Sequence, residues 1–82
     1  MHIQKLKGVV ILKLAGDDLS HPQQTCAIVE QMLKRDGERR FVADLSELSG
    51  LVSLQAGTLF ALHALCYENV AVLKVAEANK KV

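Results

Sequence analysis

The stretch Arg40-Phe41-Val42-Ala43-Asp44-Leu45 decides the fold, because it is a short apolar segment with a helical pattern on either side. Its composition predicts a buried strand. Apolar residues recur at helical spacing before it, over residues 20–34, and after it, over residues 54–67. Strands that alternate with helices predict an α/β fold with a mostly parallel sheet.

Further strands are predicted on both sides of these helices. Residues 9–14 are almost continuously apolar, which predicts a strand buried on both faces, and residues 70–75 predict a third buried strand. Residues 3–6 predict a short strand that the Lys7-Gly8 turn folds back into a hairpin. The predicted order is β-β-α-β-α-β with right-handed crossovers, and residues 77–82 predict the opening of another helix. The chain is therefore predicted to form one domain, residues 1–82, with a mixed sheet of about four strands and helices packed against it.

The ends of the helices are marked by capping residues. Ser20 is a predicted N-cap, with Pro22 in the first turn of the helix that follows. Gly37 fits just past the end of that helix. Ser53 is predicted to cap the second helix, and Asn69 to end it.

Composition and charge exclude several classes of function. The 82 residues include ten basic and nine acidic side chains, so no basic stripe suited to nucleic acid is present. The apolar runs are too short to span a membrane, and the first residues do not form a signal peptide, so the cytoplasm is the expected location. Cys26 and Cys66 lie in apolar helical patterns and are predicted to be buried free thiols.

No sequence motif for catalysis, a metal or a cofactor is present. The adjacent carboxylates Asp17 and Asp18 suit a turn better than a metal site. Asp44 lies at the carboxyl end of a predicted parallel strand, where α/β proteins carry their sites, although it can equally accept N–H groups from the following loop. We predict a protein that is not an enzyme. A small nucleotide- or metal-dependent enzyme that uses Asp44 with nearby serines is the alternative from another class.

The segment Asp44-Leu45-Ser46-Glu47-Leu48 resembles the strand end of STAS domains, the fold of the anti-sigma-factor antagonists. In that family, Asp-Ser begins a helix at the spacing that reaches Val52-Ser53 here. Gly57 and Leu59 match a small residue and a leucine of the family's helix, and residues 14–19 resemble its strand followed by Gly-Glu-Leu-Asp. Val52 departs from the family's usual Asp, and Gln55 from its frequent Gly.

The resemblance implies a regulatory module that binds a protein partner. In antagonists of this family, a kinase-type anti-sigma factor phosphorylates the serine that corresponds to Ser53, and the unphosphorylated form binds that partner. A phosphate there would meet the free N–H groups and the positive end of a helix dipole. The alternative role of Ser53 is that of an N-cap hydroxyl alone. The expected docking face combines the loop around residues 17–18, the loop of residues 46–53 and the exposed side of the next helix, with the candidate contacts Asp17, Asp18, Asp44, Ser46, Ser49, Gln55 and Gly57.

A second hypothesis retains the family but not the phosphorylation. Val52 and the apolar helix after it favour a STAS subunit that is not phosphorylated, such as a partner in a lipid- or anion-transport assembly. The sequence leaves open whether the chain forms a homodimer and whether Val82 is the natural end.

Overall fold

A computed structural model describes residues 1–76 of the chain. The strands are β1 (His2–Leu6), β2 (Val9–Lys13), β3 (Arg40–Asp44) and β4 (Val72–Ala76). The helices are α1 (Gly16–Leu19), α2 (Pro22–Lys34) and α3 (Ser53–Glu68). The predicted α/β fold is confirmed, with one short helix added. The further helix predicted at residues 77–82 lies outside the described residues.

The four strands form one sheet in the order β1-β2-β3-β4. β1 is antiparallel to β2, and the other neighbouring pairs are parallel, which agrees with the fold that the STAS resemblance implies. The predicted hairpin is present. Lys7 and Gly8 both have positive φ, at 50° and 82°, and this geometry matches the right-handed twist of the two strands.

The core fills one face of the sheet. Strands β2 and β3 bury alternate side chains against α2 and α3, namely Val10, Leu12, Phe41 and Ala43. The helices contribute Val29, Leu33, Leu62 and Cys66 to the same core. Alternate residues of these strands, such as Ile11 and Val42, point to the other face and are only half-buried. The prediction that residues 9–14 are buried on both faces is therefore wrong, because α2 and α3 pack on the same side of the sheet.

β4 also differs from the prediction. It begins at Val72, not at residue 70, because Val70 lies in a turn with φ at 56°. The strand lies at the edge of the sheet, and four of its five residues are exposed. The strand was predicted correctly, but the prediction that it is buried is wrong, since an edge strand has a neighbouring strand on one side only.

The helix ends follow the prediction in part. α2 begins at Pro22 as expected, but His21 is its N-cap. The hydroxyl of Ser20 instead donates a hydrogen bond to the carbonyl oxygen of Gly16, 3.0 Å away, and Ser20 ends α1. Gly37 has a φ of 70°, so the predicted glycine just past α2 is confirmed. Asn69 ends α3, as predicted, and its side-chain amide donates to the Leu65 carbonyl.

Candidate protein-binding surface

Three segments meet where α3 begins. The side-chain amide nitrogen of Gln55 donates to the carbonyl oxygen of Gly16 at 3.3 Å. A side chain at position 16 would also approach Leu48, in the loop between β3 and α3. The structure thus joins α1, the loop before α3 and the first turn of α3, which are the segments that the sequence predicted as one docking face.

The two carboxylates of α1 play different structural roles. Asp18 is turned inward, where one oxygen accepts the Ala15 backbone N–H at 2.8 Å and the other contacts the amino group of Met1 at 3.0 Å. The side chain of Asp17 is 88% exposed. Residues 16–19 form a helical turn, as the turn interpretation of these aspartates suggested. Of the two, Asp17 is the carboxylate that a partner can reach.

Asp44 supports the loop that leaves β3. One carboxylate oxygen accepts the backbone N–H of Ser46 at 2.9 Å. This bond, with help from the Ser46 side chain and the nearby Lys13, lowers the pKa of Asp44. A carboxylate that accepts its own loop N–H matches the non-catalytic role considered for this residue.

Ser53 is the first residue of α3, and its side chain is exposed. The N-cap is Val52, whose side chain cannot accept a hydrogen bond, so the expectation that the Ser53 hydroxyl caps the helix is wrong. Gln55 takes over part of the capping, because its side-chain oxygen accepts the Val52 N–H at 3.2 Å. Gln55 therefore joins α3 to α1 with one end and caps α3 with the other. Ser49 and Gly57, the remaining candidate contacts, are exposed.

The sequence analysis placed the exposed side of this helix in the docking face but did not identify the exposed apolar stripe that runs along α3. Five residues of α3 are spaced three or four apart and therefore lie on one side of the helix: Ser53, Gly57, Phe60, Ala64 and Tyr67. All five are exposed, and we call them the outer stripe. Leu51, Val52 and Leu54 extend it at the helix start, with Val52 62% exposed.

The outer stripe is also free of formal charge. Residues 48–67 contain no Asp, Glu, Lys or Arg. A helix that is apolar on all sides is usually buried on all sides, yet half of α3 faces solvent. Contiguous apolar surface of this kind marks a place where another molecule binds. The absence of charge over residues 48–67 was the sequence signal that could have revealed it.

Thr58 holds α3 in place from the inner side. It is 1% exposed, and its hydroxyl lies 2.6 Å from the Leu19 carbonyl oxygen and 3.2 Å from that of Leu54. A hydroxyl has one proton, so the shorter contact to Leu19 is the main bond. α3 is thereby fixed to the end of α1 by a buried hydrogen bond.

The two cysteines are the remaining reactive groups considered from the sequence. Both cysteines are free, as predicted; Cys66 is buried but Cys26 is only partly so. Burial raises the pKa of both thiols, which keeps them protonated. Within residues 1–76, the His, Cys, Asp and Glu side chains form no cluster that could hold a metal ion. No helix in this part of the chain is both long and apolar enough to cross a membrane.

The fold and this surface define an α/β module that exposes an uncharged helix face beside the carboxyl ends of its parallel strands. No protein-family description matches the chain, and no curated protein or solved structure matches it either.

Proposed function

We propose that this protein is a non-catalytic regulatory module that docks onto a kinase-type anti-sigma factor, in the manner of an anti-sigma-factor antagonist. The observation that carries the proposal is the outer stripe, an exposed and uncharged apolar surface that begins at Ser53. Its aromatic side chains, Phe60 and Tyr67, are of the type that dominates binding energy at protein interfaces. The even charge balance gives no reason to propose a nucleic-acid partner, and the proposed site of action is the cytoplasm.

Phosphorylation of Ser53 is the proposed switch. The hydroxyl is accessible, and a phosphate at the first residue of α3 would be stabilised by the free N–H groups of the helix start. The fold would therefore tolerate the modification. Phe60 lies about 10 Å further along the helix axis, on the same side. A charge of nearly −2 at one end of an otherwise neutral surface would oppose docking, because the partner would have to desolvate it.

We expect Ser53→Asp to weaken binding to the anti-sigma partner by about tenfold or more, a loss of about 1.4 kcal/mol. Ser53→Ala should bind as the wild type does, since it adds no charge. Titration of each variant against the purified partner, by calorimetry or fluorescence anisotropy, measures both affinities.

A matched control places the same charge elsewhere. Gln24→Asp puts a carboxylate in the first turn of α2, on a different helix from the outer stripe, and should leave the affinity within about twofold, since isolated exposed charges contribute little. Equal affinities for Ser53→Asp and Ser53→Ala would remove the switch.

A second function is favoured by Val52, which is apolar and 62% exposed where the resembled family has an aspartate. In this alternative the chain is an unphosphorylated STAS subunit of a lipid- or anion-transport assembly, and the outer stripe contacts another subunit permanently. The same surface serves either partner, so binding data alone do not separate the two functions.

Kinase treatment does separate them. Under the first proposal, incubation with the anti-sigma kinase and ATP should add one phosphate to the wild-type chain, seen by intact mass. Ser53→Ala should gain none, and Ser49→Ala should gain one, because Ser49 is equally exposed but lies outside the helix. A wild-type chain that stays unmodified while it still binds its partner would favour the transport subunit.

A further inference from the structure

The face of the sheet opposite α2 and α3 is a second surface, separate from the outer stripe. The apolar side chains of Leu6, Val9, Ile11, Val42 and Val72 lie on it, and all are half-buried or exposed. Part of this face forms an open trough of about 380 Å³, lined by Val9, Arg40, Phe41, Val42, Val72 and Lys74. Mostly parallel sheets normally have both faces covered, so we expect another molecule or segment to pack on this face.

The charges on this face sum to a net positive charge. Lys13 lies beside Asp44 in the sheet register, so that pair is balanced. Arg40 and Lys74 are exposed, and neither forms an ion pair within the part of the chain that the structure describes. In the register, Arg40 lies opposite Val72 and Lys74 lies opposite Val42, so the two cations stand diagonally across the apolar centre.

We propose that this trough binds an acidic amphipathic helix of a partner protein. The size fits, because β2 to β4 span about 10 Å and an α-helix with its side chains is about 10–12 Å across. The apolar stripe of such a helix would pack on Val9, Val42 and Val72. Carboxylates four residues apart on such a helix are about 6 Å apart, and the diagonal positions 40 and 74 are about 7–8 Å apart. The long Arg and Lys side chains can span this difference.

Charge argues against the other occupants. A second copy that packed face to face would bring together two faces of the same net charge, which is unfavourable. Residues 77–82 of the same chain contain Glu77, Lys80 and Lys81, so their net charge has the same sign as the trough. Two cations give only about 2 kcal/mol of attraction to an anionic membrane surface, too little for stable binding.

The test uses the full chain and a synthetic four-turn peptide, with leucines along one face and glutamates on both flanks. We expect fluorescence anisotropy to show binding that weakens as salt is raised. The double variant R40E/K74E should lose about tenfold or more in affinity. The control K34E/R35E reverses the same number of charges at the end of α2, on the other side of the sheet, and should bind as the wild type does.

Three results would overturn the proposal. One is equal binding of the peptide by R40E/K74E and by the wild type, with circular dichroism confirming that both are folded. Another is equal binding of a sister peptide that carries lysine in place of glutamate. The third is an amide NMR map in which the peptide shifts α3 and leaves β3 and β4 unchanged. Binding to anionic vesicles that R40E/K74E abolishes, without peptide binding, would assign the face to a membrane instead. Because the trough and the outer stripe are different surfaces, none of these outcomes tests the function proposed for Ser53.

Discussion

Leu62→Ala should lower the free energy of unfolding by about 2–5 kcal/mol, the range for truncating a fully buried leucine. Leu62 is 0% exposed and belongs to the core that joins α3 to the sheet. Its loss removes apolar contact and leaves a cavity that its neighbours can fill only in part. Urea denaturation followed by circular dichroism gives the change directly, provided that the dependence on urea concentration stays the same.

The matched variant is Phe60→Ala, two residues earlier on the same helix. Phe60 is 75% exposed, so its truncation should change the unfolding free energy by about 0.5 kcal/mol or less. If the proposed docking surface is correct, Phe60→Ala weakens partner binding while it leaves the fold intact. A loss of stability as large as that of Leu62→Ala would mean that Phe60 packs inside the protein and is not on a binding surface.

The two variants compare the two sides of α3, which are apolar for different reasons. The inner side of α3 is apolar because Leu62 and Cys66 fill the core. The outer side has no such partner within residues 1–76, yet it carries no charged residue from Ser53 to Tyr67, and Glu68 is the first charge along the helix. An apolar surface exposed to water without function would bring a risk of aggregation and no gain in stability. Exposed apolar surface of this kind is typical of interaction sites, which is the basis of the docking proposal.

The sequence predicted the elements well because their signals are local. The helical spacing before and after β3 and the Lys7-Gly8 turn each depend on a few neighbouring residues. The predicted order of strands and helices followed from those signals, since βαβ connections leave few alternatives.

The burial of each strand was harder to predict, because it depends on which face of the sheet the helices cover and on the order of the strands. Val9 and Ile11 are as apolar as Val10 and Leu12, so the local pattern does not indicate that only one face of the strand is covered. Val72 and Val75 suggested a buried strand, but their exposure is set by the position of β4 at the edge of the sheet. Strand order is a property of the whole chain and cannot be read from a six-residue pattern.

The sequence predicted the elements that carry the candidate surface, but not the hydrogen bonds within it. The exposed helix start at Ser53 was expected. The predicted docking face combined residues 17–18 with residues 46–53, and the hydrogen bond that the structure shows joins Gln55 of α3 to Gly16. The inward turn of Asp18 and the double role of Gln55 depend on hydrogen bonds between segments far apart in sequence, for which a single sequence gives no signal. Thr58 was missed for the same reason, since a threonine within a helix has no distinctive pattern.

Thr58→Val should lower the free energy of unfolding by about 1–3 kcal/mol, although the two side chains have nearly the same shape. The Thr58 hydroxyl donates to the Leu19 carbonyl oxygen at 2.6 Å, in a part of the fold where Leu19 is 0% exposed. Valine would leave that carbonyl without its donor and without water to replace it. Thermal or urea unfolding measures the loss.

Thr58→Ser separates the hydrogen bond from the packing. Serine keeps the donor and loses one methyl group, so its cost should be about 0.8 kcal/mol, less than that of valine. Hydrogen exchange adds a second readout, because the valine variant should speed exchange of the amides in α1 and the first turns of α3. If the valine variant proves as stable as the serine variant, the hydroxyl does not fix α3 to α1. The position of Ser53 beside α1 would then depend on Gln55 and on apolar packing alone.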